Sequence, residues 1–422
     1  MPVALFGLSY KTAPLDLREA VSFDAESLAT SLPGLTCEPS VREAVVVSTC
    51  HRTEIYTELT DMVAAKEHAM SWLADQRGLS RRSFGQHVYH RFERDAVEHL
   101  FRVAAGLDSM VIGEDQILGQ VRESFKIASR AGTVRTRLDT TFRRAIRTGK
   151  RARTETNINR HSASIGSVAA DLARQALGSL EGKRTLVIGA GEMAELAARH
   201  LLRNGAAELT VANRSRGRAE RLAAELGVAA VPLTDVAGLL DAADIAITST
   251  GAPQHLVTAG MLAGRNRPLV IIDLGLPRDV EPAAGELPNV RLYNVDQLDE
   301  VLAGRQQGQS EDIERVEAIV GEELAAWDRW HASLGVLPTV SALVSWADEV
   351  RDREAARTLS HLGHLSDRDR QEVAALAQAV ARKLLHGPID RLKAGDLPDG
   401  YLDMARDLFG IEDAPAGDDL SL

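Results

Sequence analysis

Short β-branched apolar runs punctuate the first 155 residues, and longer stretches of helical period lie between them. Val3–Gly7, Val45–Ser48 and Ile55–Leu59 are predicted as strands. Helices are predicted at Arg18–Val21, Glu26–Leu32, Met62–Arg77, Ala96–Ala105, Ile117–Ala131 and Thr141–Thr154. That mixture implies a compact α+β domain with a second, helical half. From Lys183 the pattern changes to strands at Thr185–Ile188, Glu208–Ala212, Ile245–Thr248 and Leu269–Asp273 with helices between them, closed by a strand at Val290–Asn294. Repeated βα units imply a parallel sheet with crossover helices. Beyond Leu298 the chain is almost all helix. Ile313, Val316, Val320, Leu324 and Trp327 recur at helical spacing, and Gly335 and Pro338 are expected to stop that helix near Leu334. Its apolar stripe is narrow, which suits an interaction or oligomerisation module. The expected fold is thus α/β and multidomain, with parts at 1–157, 158–305 and 306–422.

Composition changes this picture little. The chain is 45% hydrophobic and 26% charged, as in an ordinary soluble protein. No apolar run approaches bilayer-spanning length, and a charged-then-apolar leader is lacking. Cys37 and Cys50 alone make neither a disulfide framework nor a zinc cluster, so no metal is expected and the compartment reads as the reducing cytoplasm. The net charge of −11 argues against bulk nucleic-acid binding, DNA included. One local exception stands out. Ten Lys or Arg residues fall between Arg130 and Arg160, opposed only by Asp139 and Glu155. They read either as a solvated helix face or as a patch that contacts phosphates. The acidic tail from Glu412 is expected to be disordered.

Two features carry chemistry. Cys50 lies where the run Val45-Val46-Val47 breaks into Ser48-Thr49-Cys50-His51-Arg52, a strand end suited to a reactive side chain. Cationic neighbours such as His51 and Arg52 favour the nucleophilic thiolate. The second feature is Gly189-Ala190-Gly191-Glu192-Met193-Ala194, between a strand and a helix, the dinucleotide fingerprint in its required context. Gly189 permits the tight turn, Gly191 lets the backbone approach a pyrophosphate, and Ala194 keeps the helix–sheet contact small. At the end of the next strand stands Asn213-Arg214-Ser215-Arg216, with no carboxylate to repel a 2′-phosphate. NADPH is therefore the expected cofactor. Thr248–Pro253, after the fourth strand, reads either as a loop lining the nicotinamide side or as a plain turn.

A nucleophilic cysteine ahead of an NADPH domain suggests reduction of an activated carboxyl group through a thioester. Here the chain resembles the glutamyl-tRNA reductase family, on the motifs Gly7–Pro14, Ser48–Glu54, Gly113–Gln120, Gly149–Thr156 and the Gly189 fingerprint. The likeness is specific through the nucleotide-binding region and rests on order and length in the C-terminal third. It implies an α+β catalytic domain, a Rossmann-type NADPH domain, and an all-helical dimerisation domain joined by a long spinal helix. It further implies attack by Cys50 on the ester of glutamyl-tRNA(Glu), hydride from NADPH, and release of glutamate 1-semialdehyde, the first step of tRNA-dependent tetrapyrrole synthesis. His99 is implied as a second catalytic residue. Thr49, His51, Arg52, Ser109, Glu114, Asp115, Gln116 and Gln120 are implied as the substrate set, with Arg52 on the glutamate carboxylate and Glu114 on its ammonium group. Homodimerisation and a partnership with glutamate-1-semialdehyde aminomutase follow from the same likeness. His51 departs from the family's usual asparagine, and Asp115 from a frequent proline; the former bears on the acidity of Cys50. The competing readings are an NADP-dependent dehydrogenase of a small free metabolite and a non-catalytic tRNA- or partner-binding protein.

Overall fold

The computed structural model describes residues 2–411 except 115, 160–164, 235, 306–309 and 394–400. It divides into two compact units, 1–323 and 324–422.

The first unit opens with a four-stranded sheet: β1 (Val3–Ser9), β2 (Val41–Ser48), β3 (Arg52–Leu59) and β4 (Tyr89–Phe92). Every pairing is antiparallel, in the order β2-β3-β1-β4. Around it lie α1 (Leu15–Val21), α2 (Ala25–Ser31), α3 (Met62–Arg77), α4 (Arg81–Phe84), α5 (Arg94–Ala105), α6 (Gln116–Arg130) and α7 (Thr136–Glu155). Asp61 caps α3 by accepting from Val63 and Ala64 N–H, and Gly78 ends it in the left-handed region. The edge strand β4 was not expected from sequence, because Tyr-His-Arg-Phe offers no apolar run. It matters to the site, since it supplies Tyr89.

All eight residues of β3 are buried, although Arg52, Glu54 and Glu58 belong to them. Side chains alternate along a strand, so these three and Tyr56 share one face. Near its far end Glu58 stands opposite Glu43 of β2. Glu43 also caps α7 from outside, accepting the N–H groups of Arg135, Arg137 and Leu138 at 2.7–2.9 Å. Burial, and next the hydrogen bond and charge of Glu43, push the Glu58 carboxyl up to about 7, although Arg137 pulls the other way. The neutral carboxyl is thus the form that suits the fold, and stability is expected to fall as pH rises from the unfolded value toward and through 7. Thermal unfolding at pH 5 and pH 8 checks this. Glu58→Gln should flatten the profile, and an equally steep profile in that variant would assign it to other groups.

The second half of this unit holds α8 (Ile165–Leu177) and a six-stranded parallel sheet. Its strands are β5 (Arg184–Ile188), β6 (Glu208–Asn213), β7 (Ala229–Pro232), β8 (Ile245–Thr248), β9 (Leu269–Asp273) and β10 (Val290–Asn294), in the order β10-β9-β8-β5-β6-β7. The crossovers are α9 (Glu192–Arg203), α10 (Arg216–Leu226), α11 (Val236–Ala242) and α12 (Ala259–Leu262), and α13 (Val295–Arg305) follows β10. The sheet is buried on both faces, as parallel sheets require. Val187, Ile247 and Ile272 pack with α8, α9 and α13 on one side, while Ile188, Ala246 and Ile271 pack with α11 and α12 on the other.

Two findings on the helices change the sequence reading. The long helix α14 (Ser310–His361) does not stop near Leu334 but continues through Pro338. An internal proline costs about 3 kcal/mol; burial of Val336, Val340 and Leu343 in the core of the second unit offsets it. That unit also contains α15 (Asp367–Lys393) and α16 (Tyr401–Leu408). Second, the basic run is partly paired within the protein, although Arg143 and Arg147 stay exposed. Arg144, Arg147 and Arg151 of α7 converge on Glu323, Arg151 also reaches Glu322 at 2.8 Å, and Arg102 pairs with Glu317. These arginines bind α5 and α7 to the start of α14, so much of the proposed phosphate patch is neutralised within the protein. The acidic tail from Glu412 and Arg160 lie outside the described residues. Among the described residues no helix is long and apolar enough to cross a membrane, and no cluster of metal-ligating side chains forms.

Candidate active site

β2 and β3 are joined by only Thr49, Cys50 and His51. Thr49 shapes this turn. Its N–H donates to Arg52 O (2.8 Å), and its hydroxyl accepts from the N–H groups of His51 (3.2 Å) and Arg52 (3.3 Å). Cys50 is thereby held half-buried at the tip, with Sγ 3.5 Å from His51 Nδ1. The His51 ring lies edge-on to Tyr10 at 5.9 Å.

Arg52 is engaged within the protein. Only 1% exposed, it turns its guanidinium into the protein. One nitrogen donates to Glu54 Oε1 at 2.7 Å, and both reach Asp108 Oδ2 at 3.1 Å. Asp108 also pairs with Lys11. Its carboxyl is held below the usual range: burial alone would raise it, but Arg52, Lys11 and His99 outweigh that. Arg52 is thus charge-balanced from within, and His51 is the side chain placed beside Sγ.

Glu54 is the hub of this network. It is fully buried and accepts hydrogen bonds from Arg52, His99 Nε2 (2.8 Å), Tyr56 (2.6 Å) and Tyr89. Burial raises its pKa, but the charges of Arg52 and His99 and the hydrogen bonds hold it far below the ordinary carboxylate range. The same surroundings raise Tyr89 and Tyr56: burial first, then the Glu54 charge. Room for Glu54 comes from the facing strand. Gly7 is its register partner, and a Cβ there would stand 2.8 Å from Glu54 Cγ. His99, on α5, directs Nε2 at Glu54 and lies 3.4 Å from Arg52. Sequence reasoning missed Glu54, Tyr89, Asp108 and Lys11. The signal available was a run of charged residues at alternate positions of a buried strand.

The remaining substrate candidates lie on one loop and helix. Ser109 is buried, and Gly113 adopts φ +80° with a Cβ position 2.2 Å from Ile158 O, a place for glycine alone. Glu114 O accepts from Arg153, and Gln116 and Gln120 share a face of α6. Asp115 lies outside the described residues. This loop leans on the parallel-sheet half: Val111 joins the α8–α9 core, and Gln116 Nε2 donates to Met193 Sδ at 2.9 Å.

The fingerprint turn suits a dinucleotide. Gly189 has φ +110°, and a Cβ there would stand 2.1 Å from Ser249 O. Gly191 caps α9 in extended conformation and brings no side chain to its N-terminus, which suits an anion held by the N–H groups of the first turn. Ala190 and Met193 pack against the core beneath, and Ala194 is buried in it; the Glu192 side chain is outside the described set. At the end of β6, Asn213 is partly buried, whereas Arg214 and Ser215 are exposed. Arg216 is paired with Glu220.

Residues 6–156 match the model of the glutamyl-tRNAGlu reductase N-terminal domain, 171–301 that of shikimate/quinate 5-dehydrogenase, and 315–411 that of the glutamyl-tRNAGlu reductase dimerisation domain. A glutamyl-tRNA reductase of Carboxydothermus hydrogenoformans is 39% identical over 98% of this chain and 93% of its own. The chain belongs to the glutamyl-tRNA reductase family. A second member, from Pelotomaculum thermopropionicum, is 38% identical over 98% of this chain and 95% of its own. The solved glutamyl-tRNA reductase of Methanopyrus kandleri is 31% identical, with a TM-score of 0.51 over 96% of this chain and 97% of that one. For a member of this family, the Cys50 turn, the α6 loop and the Gly189 turn fall in the two regions matched to its N-terminal and nucleotide-binding parts.

Proposed function

We propose that this protein reduces the glutamyl ester of tRNA(Glu) to glutamate 1-semialdehyde, the entry step of tRNA-dependent tetrapyrrole synthesis. One observation carries the reading beyond family membership: Gln116 of the glutamate-recognition loop touches Met193 of the dinucleotide turn, so the two half-sites adjoin. Cys50 Sγ attacks the ester carbonyl, and the tRNA 3′-hydroxyl leaves with the thiol proton. A nicotinamide dinucleotide held on the Gly189–Ala194 turn would supply hydride for the thioester carbon. With a proton the hydride would leave a thiohemiacetal on Cys50, whose collapse would free the aldehyde and restore the thiol.

The chain's own residues pose these atoms. Thr49 holds the turn. Gln116 and Gln120 present one polar face to the substrate, Ser109 and Asp115 are assigned to its recognition, and Glu114 takes the ammonium group. A substrate carboxylate reaching Arg52 shares the guanidinium with Asp108. His99 serves through Glu54 and Arg52, keeping them in register. The pyrophosphate rests on Gly189–Ala194, and Asn213, Arg214 and Ser215 favour NADPH over NADH. Residues 306–422 form the dimerisation part. Its exposed Trp346, Val350, Leu376, Val380 and Leu384 line an apolar groove of about 480 Å³, which a second copy covers. Direct transfer of the reactive aldehyde to the aminomutase in the cytoplasm completes the reading.

The test is an assay with glutamyl-tRNA, with and without NADPH. Semialdehyde should form only with both, ribonuclease should abolish it, and omission of NADPH should leave slow ester hydrolysis. Product formation that survives ribonuclease would favour a dehydrogenase of a free metabolite.

A further inference from the structure

The short helix α1 carries charges in both directions between the two halves of the first unit. Arg18 is 2% exposed. One of its terminal nitrogens donates to the carbonyl oxygen of Cys50 at 2.6 Å, and the other grips both oxygens of Asp296 at 2.5 and 2.6 Å. Asp296 stands in the first turn of α13, whose start is locked by reciprocal bonds between Asn294 and Gln297. Glu19, the next residue, accepts from the backbone N–H (2.7 Å) and the guanidinium of Arg278, which also reaches Asp16. Arg278 follows β9. Two neighbouring side chains of opposite sign on α1 are therefore answered by two of opposite sign on the nucleotide-binding half.

Arg18 does more than join domains. Its guanidinium is planar, so the nitrogen on Asp296 and the nitrogen on Cys50 O cannot move independently. Among the described residues its Nε has no hydrogen-bond partner, which leaves the contacts to Cys50 O and Asp296 to hold the group. A buried arginine that loses its carboxylate carries an uncompensated charge and leaves its place. The Cys50 carbonyl would then lose its donor.

We propose that Arg18 is a positioning residue that makes the pose of Cys50 depend on the seating of the nucleotide-binding half, with α1 as a two-sided clamp. This rests on the reading of Cys50 as the nucleophile. Loss of the clamp leaves a thiol still able to open an ester, but poorly aligned for transfer of hydride to its acyl group. The thioester then drains to water.

The test uses Asp296→Asn in the full-length protein carrying Cys37→Ser. Reduction of glutamyl-tRNA is expected to fall by about tenfold or more, while ester hydrolysis without NADPH stays within about twofold. Asp296→Glu should restore the ratio. Two results would overturn the proposal: a ratio that does not move, or both reactions falling together. A second readout does not depend on the substrate. Labelling of Cys50 by iodoacetamide should quicken severalfold in Asp296→Asn and return to the original rate in Asp296→Glu; an unchanged rate refutes the clamp whatever ester the enzyme takes. Failure of the function itself appears separately, as a starting protein that labels normally but does not act on glutamyl-tRNA.

Discussion

Cys50→Ser is expected to lower semialdehyde formation by about three orders of magnitude or more, with folding and nucleotide binding preserved. The replacement is nearly isosteric, and the turn is built by Thr49 and the two strands rather than by the thiol. An unactivated hydroxyl at this tip is a weak nucleophile, and an oxygen ester formed there accepts hydride less readily than a thioester. Thermal unfolding and NADPH titration should match the parent, and quenched assays should find no acyl-enzyme. Reduction at an undiminished rate would rule out the covalent route and leave a binding protein or a direct reductase.

Glu54→Ala is expected to destabilise the protein by about 3–5 kcal/mol and to abolish activity in whatever fraction stays folded. Four donors converge on this carboxylate, and its removal leaves Arg52 balanced by Asp108 alone and two tyrosines without their acceptor. The pH dependence is opposite in sign to that of Glu58. Because the folded state depresses the Glu54 carboxyl, its contribution is fully present above the unfolded value and is lost as pH falls toward the folded one. Urea unfolding of the parent and of Glu54→Gln should therefore differ most near neutrality and converge in acid. A constant difference down to pH 3 would show that Glu54 acts by shape rather than charge.

Much of the fold was legible because its signals are local. Met62–Arg77, Ile245–Thr248, Leu269–Asp273 and Val290–Asn294 occur at the expected bounds. They are set by apolar periodicity and by caps within a few residues. Pro338 shows where local reasoning fails, since burial of residues on either side outweighs a helix breaker. The long helix thus continues beyond its expected end. The basic run before Arg160 shows the same for charge: its partners Glu317, Glu322 and Glu323 are far away in sequence.

The sequence by itself determined the chemical types: a cysteine at a strand end, a glycine-rich turn between strand and helix, and the family to which they belong. Residue type and spacing over ten or so positions suffice for those. Only the tertiary structure decided how the groups are joined. It made Glu54 the hub, turned Arg52 inward toward Asp108, and tied Cys50 to Asp296 through Arg18, which lies 278 positions before that aspartate. Hydrogen bonds and ion pairs act over a few ångströms of space and carry no trace of that distance along the chain.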